Sequence, residues 1–112
     1  MKLSKFVETI TFLFKREFDP TETMQWLTAN QTMFWSWGVS KKINVQNKGL
    51  LLRVNGHHHK GYVLITLDWN DIYEVHLIKT NGTITSSHEN VYCDELQHFI
   101  DGKIEYIPQY AN

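Results

Sequence analysis

The sequence predicts an α+β domain: an antiparallel meander of four to five strands, with N-terminal helices and a C-terminal helix packed on one face. Three observations predict it. Apolar residues recur at three- and four-residue spacing near the start of the chain. From about residue 33 they alternate with polar residues in short runs separated by turn signals. A second helical pattern then closes the chain. No helical pattern falls between consecutive strands. That disfavours a parallel, doubly wound sheet, whose neighbouring strands need a long crossover.

The first element is a helix over residues 3–17. Leu3, Phe6, Val7, Ile10, Leu13 and Phe14 draw one apolar stripe along it. "DPTE" restarts the chain. Asp19 suits an N-cap, Pro20 the first turn and Glu22 the capping-box position. A short helix through "TETMQWLTAN" follows, with Met24 and Leu27 on its buried side. In "TMFWSWGVSKKINV", Met33, Trp35, Trp37 and Val39 alternate with Phe34, Ser36, Gly38 and Ser40, so a strand is expected. "NKG" at 47–49 reads as a turn and "LLLRV" as the next strand. "NGHHHKG" is a second turn.

"YVLITLDW" is expected to place Val63, Ile65, Leu67 and Trp69 on one face. In "IYEVHLIKT", Tyr73, Val75 and Leu77 alternate with Glu74, His76 and Ile78. Asn81-Gly82 is the strongest hairpin signal and suggests a type I′ turn before a short strand "TITSS". The closing helix "YCDELQHFID" presents Tyr92, Leu96, Phe99 and Ile100, and Gly102 is placed to end it.

One domain over residues 1–112 accommodates all of this. At 42% apolar residues, with four Trp, five Tyr and six Phe, the chain can build a core without a metal or a disulfide. The single Cys93 precludes an internal disulfide and favours a reducing, cytoplasmic compartment. The N-terminus does not read as a signal peptide, because Glu8, Lys15, Arg16 and Glu17 interrupt its apolar residues. No apolar run reaches the ~20 residues of a bilayer span, so no membrane association is expected.

Net charge is −1, but the charges are segregated. Residues 23–67 carry Lys41, Lys42, Lys48, Arg53 and Lys60 and no acid, a sum of +5. Residues 68–112 sum to −6. Such asymmetry points to an anionic partner or to self-association. Residues 35–62 are expected to form a positive surface, and the C-terminal helix and its approach a negative one.

The run His57, His58 and His59 raises the question of a metal site. On a strand His57 and His59 share a side, and His76 is the best third ligand. No carboxylate stands at ligand spacing and no HExxH or CxxC pattern occurs, so the run reads as a hairpin tip. No cofactor is called for. Cys93 lies near a helix start with His88 and His98 close in sequence, but Asp94 and Glu95 oppose its ionisation, so it reads as structural. Asp68 and Asp71 read as turn-capping residues. No residue is assigned a catalytic role.

"FWSWG" carries more information. Trp35 and Trp37 form either part of the core or a half-exposed platform, and both alternatives stand at this point. With Lys41, Lys42, Arg53, His57, His59, Lys60 and Tyr62 they make up the expected binding surface. Aromatics interleaved with bases suit a nucleic acid or nucleotide. The modest charge and slightly acidic whole favour a protein partner or self-association.

"FWSWG", "LLLRVNGHHHKGYVLITLDWNDIYEVHLIK" and "VYCDELQHFID" together resemble small uncharacterised proteins of bacteriophages and mobile elements of Bacteroidetes-type bacteria, over about residues 33–101. The resemblance implies an accessory protein in the cytoplasm of a bacterial host, acting by binding, including on components of host defence. It carries no functional residue with it. The expectation is therefore a non-enzymatic binding module.

Overall fold

The computed structural model describes residues 3–105, with the side chain of Leu3 outside the description. The order is α1 (Leu3–Ile10), a 3-10 turn (Thr11–Leu13), α2 (Pro20–Leu27), α3 (Gln31–Ser36), β1 (Lys41–Val45), β2 (Gly49–Asn55), β3 (Lys60–Leu67), β4 (Tyr73–Ile78), β5 (Ile84–Val91), a 3-10 turn (Cys93–Glu95) and α4 (Leu96–Ile104). The five strands form one antiparallel sheet in sequential order. The α+β meander is thus the observed fold.

Besides the stop expected at Gly102, which lies inside α4, four local expectations are corrected. The first helix ends at Ile10 rather than at residue 17. Thr9 and Thr11 hydroxyls bond back to the Phe6 and Glu8 carbonyls, a competition that weakens helix. The chain leaves the 3-10 turn extended at Phe14. Second, residues 31–36 are helical, not a strand. The Asn30 side chain caps the Met33 N–H at 3.1 Å, and Gly38 at φ +63° ends the segment. Consecutive large residues fit period 2 and period 3.6 equally, and Phe34 and Trp37 meet as an i, i+3 pair with centroids 5.4 Å apart.

Third, Trp69 leaves the row of Val63, Ile65 and Leu67 and is exposed. The strand stops because the Asp68 carboxylate accepts from the Asn70 and Ile72 N–H groups and reverses the chain. Fourth, the type I′ turn sits elsewhere. Gln46 and Asn47, at φ +56° and +57°, join β1 to β2. At 79–83 only Gly82 (φ +94°) is left-handed, and Lys79 donates to the Thr83 carbonyl across a longer loop. The strand that follows runs to Val91, beyond "TITSS", and pairs Val91 with Tyr73.

Helices cover both faces of the sheet, not one. On the first face Leu50, Leu52, Val54, Val63, Ile65, Val75 and Leu77 pack under Leu27 of α2, Phe34 of α3, Trp37 just beyond it, and Leu96, Ile100 and Ile104 of α4. On the second, Val45, Leu51, Tyr62, Leu64 and Ile78 pack under Phe6 and Ile10 of α1. The reason is visible in β2 and β3. Leu50, Leu51 and Leu52 are consecutive, and β3 is apolar at nearly every position, as strands buried on both faces are. The α1 stripe supplies the second cover.

Candidate functional site

The register brings three of the expected bases together. Lys41 lies directly opposite Arg53, and Asn55 opposite Lys60. A cleft of about 490 Å³ is lined by Gly38, Ser40, Lys41, Arg53, Val54, Asn55 and Lys60, with no acid among them. The α3–β1 connection forms one wall: Ser40 N–H donates to the Arg53 carbonyl, and Asn55 N–H to that of Trp37. Arg53 stands over the Tyr62 ring at 5.2 Å, and Tyr62 in turn packs on Phe6 with centroids 4.5 Å apart. Among the described residues, carboxylates pair with Lys15, Arg16 and His76, and none with Lys41, Arg53 or Lys60.

The other expected residues divide. Lys42 opposes Leu52, so it faces away from Lys41 across the sheet. Trp37 is fully buried and donates its indole N–H to Asp101 at 3.0 Å. Tyr62 is also core. Trp35 alone is open, 71% exposed, on the helical turn whose carbonyl receives the Gly38 N–H. The aromatic platform is therefore one tryptophan, not two.

The histidine run is a hairpin tip docked on the end of α4. His57 N–H donates to the Glu105 carboxylate at 2.7 Å and His58 N–H to the Ile104 carbonyl at 2.7 Å. Gly56 permits this approach, since a Cβ there would stand 2.5 Å from the Ile104 carbonyl oxygen. His59 Nε2 lies 3.0 Å from the Tyr62 carbonyl. His76 pairs with Leu64, four positions along β3 from Lys60, or about 13 Å at strand rise. Among the described residues no three His, Cys, Asp or Glu converge to hold a metal. Cys93 is exposed at the turn before α4.

The charge segregation becomes a charge axis along the strands. The end with the β2–β3 tip and the β4–β5 turn carries Lys41, Lys42, Arg53, Lys60 and Lys79, joined by Lys103 in the last turn of α4, against Glu105 at the tip. The opposite end holds Asp19, Asp68, Asp71, Glu74, Asp94 and Glu95, which outnumber Lys15, Arg16 and Lys48 there. The expected negative surface is thus found in the approach to α4 and the β3–β4 turn, while the end of α4 itself lies at the positive end.

A second cleft was not foreseen. It measures about 570 Å³ and is lined by Phe12, Leu13, Lys15, Glu74, His76, Ser87, Glu89 and Asn90. Glu74 and His76 are buried on the α1 face of β4, where alternation alone suggested a solvent side. Lys15 Nζ meets Glu74 Oε2 at 2.5 Å, and this bond raises the lysine pKa. Burial holds His76 below the usual imidazole range; Glu74 opposes that shift, while Lys15 adds to it. The available signal was Thr66, the one polar side chain in a run from Tyr62 to Leu67 that is otherwise apolar on both faces.

No protein-family model, curated protein or solved structure matches this chain. Among the described residues no helix is long and apolar enough to cross a membrane.

Proposed function

We propose that this protein is a binding module that docks an acidic surface of a protein partner on the basic end of its sheet. The acid-free cleft of Lys41, Arg53 and Lys60 beside the open edge of β1 carries the reading. An edge strand directs alternate N–H and C=O groups outward, so an extended acidic segment gains backbone hydrogen bonds as well as charge pairing. Nucleic acid fits less well. Burial of Trp37 and Tyr62 leaves Trp35 as the one exposed ring of the expected platform, and the acidic opposite end repels phosphate. The resemblance to phage and mobile-element proteins supplies a context, an accessory protein acting on a host component.

The test compares two labelled probes by fluorescence anisotropy, a Glu-rich decapeptide and a single-stranded oligonucleotide of equal charge. The acidic peptide should bind, and Arg53→Glu with Lys60→Glu should abolish binding without unfolding. Tighter oligonucleotide binding with a steep salt slope would transfer the site to nucleic acid.

A further inference from the structure

The second cleft holds an ordered chain of hydrogen bonds that ends on an exposed hydroxyl. Ser87 of the edge strand β5 lies directly opposite His76. Its Oγ is 2.8 Å from His76 Nδ1. His76 Nε2 lies 3.5 Å from Thr66 Oγ1 and 4.0 Å from Glu74 Oε1. The Thr66 hydroxyl donates to Glu74 Oε1 at 3.2 Å, and Lys15 donates to Glu74 Oε2. For a neutral imidazole these bonds are mutually consistent in one direction only. If Thr66 donates to Glu74, its oxygen can accept from His76 only when Nε2 carries the proton. Nδ1 is then the free base that faces Ser87.

We infer that this cleft is an acyl-transfer site in which Ser87 is the nucleophile and His76 its general base, acting on small carboxylic esters with a short apolar acyl group. The roles follow from position. A serine hydroxyl is a weak nucleophile until an adjacent base takes its proton. The imidazolium that results stands 4.0 Å from the buried Glu74 carboxylate, which stabilises it. Thr66 and Glu74 are positioning residues that hold the ring and its tautomer. Asn90 and the N–H bonds of Lys15 that Glu74 does not take line the same cleft and are its donors to a developing oxyanion. Phe12, 72% exposed, and Leu13 form the apolar wall for the acyl chain.

The steps balance without a redox partner. Ser87 Oγ attacks the ester carbonyl carbon as its proton passes to His76 Nδ1. The C–O bond to the alcohol breaks, and the alcohol leaves with that proton. Water then attacks the acyl-serine carbonyl and gives a proton to His76. The bond to Ser87 Oγ breaks, the proton returns to Ser87, and the carboxylic acid departs. This site lies on β4 and the β5 edge, across the sheet from the basic cleft at the β1 edge, so its failure leaves the proposed docking surface untouched.

The experiment exposes the full chain to a fluorophosphonate probe and to p-nitrophenyl acetate. One phosphonate adduct on Ser87, found by peptide mass mapping, is expected, with a burst of nitrophenol from the ester. Ser87→Ala, at an exposed position that tolerates the change, should abolish both. His76→Gln should slow labelling about 100-fold or more. Thr66→Ser should retain the labelling rate, while Thr66→Val should slow it, by less than His76→Gln does, with the fold intact by circular dichroism. Absence of a Ser87 adduct overturns the inference. So does an ester rate unchanged in Ser87→Ala, since that rate would belong to the exposed histidines of the hairpin tip.

Discussion

Lys41 and Arg53 are direct cross-strand partners, two like charges held opposite each other at the sheet edge with no carboxylate between them. Like charges so placed destabilise a strand pair, and opposite charges stabilise it. Lys41→Glu should therefore raise stability by a few tenths of a kcal/mol, the low end for exposed pairs, roughly 0.2–1. The same change should weaken capture of an acidic probe, chiefly by slowing association. Chemical denaturation and stopped-flow binding on one variant check both halves. A variant that loses stability and keeps its association rate contradicts the docking role.

Trp35 and Trp37 separate what one helix turn places in two environments. Trp37 is buried and hydrogen-bonded to Asp101; Trp35 is open to solvent. Trp37→Ala should cost about 3–5 kcal/mol, the range for a buried aromatic. Trp35→Ala should stay within about 0.5 kcal/mol. Urea melts of the two variants decide it. Equal losses would mean that the segment is a strand with both rings on one face.

That pair also marks where the sequence was legible. The turn signals, the short apolar runs of β2 and β3 and the alternation in β4 located the meander, because turn chemistry and residue pattern are local properties. "FWSWG" was ambiguous, because an unbroken aromatic run satisfies both periods; Asn30 and Gly38, a cap and a stop, were the deciding residues. Of the expected surface, Lys41, Arg53 and Lys60 did meet, since a tight hairpin and a register bring near neighbours together. Lys42 did not, because adjacent strand residues face opposite ways. Glu74, His76 and Ser87 were hidden for a different reason. Whether a polar face of β4 is open or covered depends on where α1 packs, and that is a long-range fact no local pattern records.

Gly56 and the end of α4 support a third expectation. A methyl at Gly56 would stand 2.5 Å from the Ile104 carbonyl oxygen, a backbone atom that cannot swing aside. Gly56→Ala should push the hairpin tip off the helix end and cost roughly 1–3 kcal/mol, as overpacking does. His57→Asn should cost far less, because that residue's bond to Glu105 is made by the backbone N–H. Thermal melts would show the ranking, and a Gly56→Ala protein with unchanged melting would mean that the tip is not docked.

The last expectation concerns pH. His76 is buried beneath the 11–15 segment in the cleft it shares with Lys15, Glu74 and Glu89, with His88 acting on it from the other face of the sheet, and burial lowers its pKa below 6.5. His88, beside Phe99 and Lys103, is lowered in the same direction by burial. The unfolded chain therefore binds protons at these sites more readily than the folded one. Below pH 6.5 the unfolded state gains protons that the native state refuses, so stability falls as pH falls until the folded pKa values are passed. Toward pH 8 both states hold neutral imidazoles, and this contribution is flat. Denaturant melts between pH 8 and pH 5 should show stability declining through the lower half of that range. His76→Gln, which keeps a polar side chain of similar reach, should reduce the slope, with His88 supplying the remainder. A slope unchanged in that variant would place His76 in contact with water, and the covered polar face of β4 would have to be redrawn.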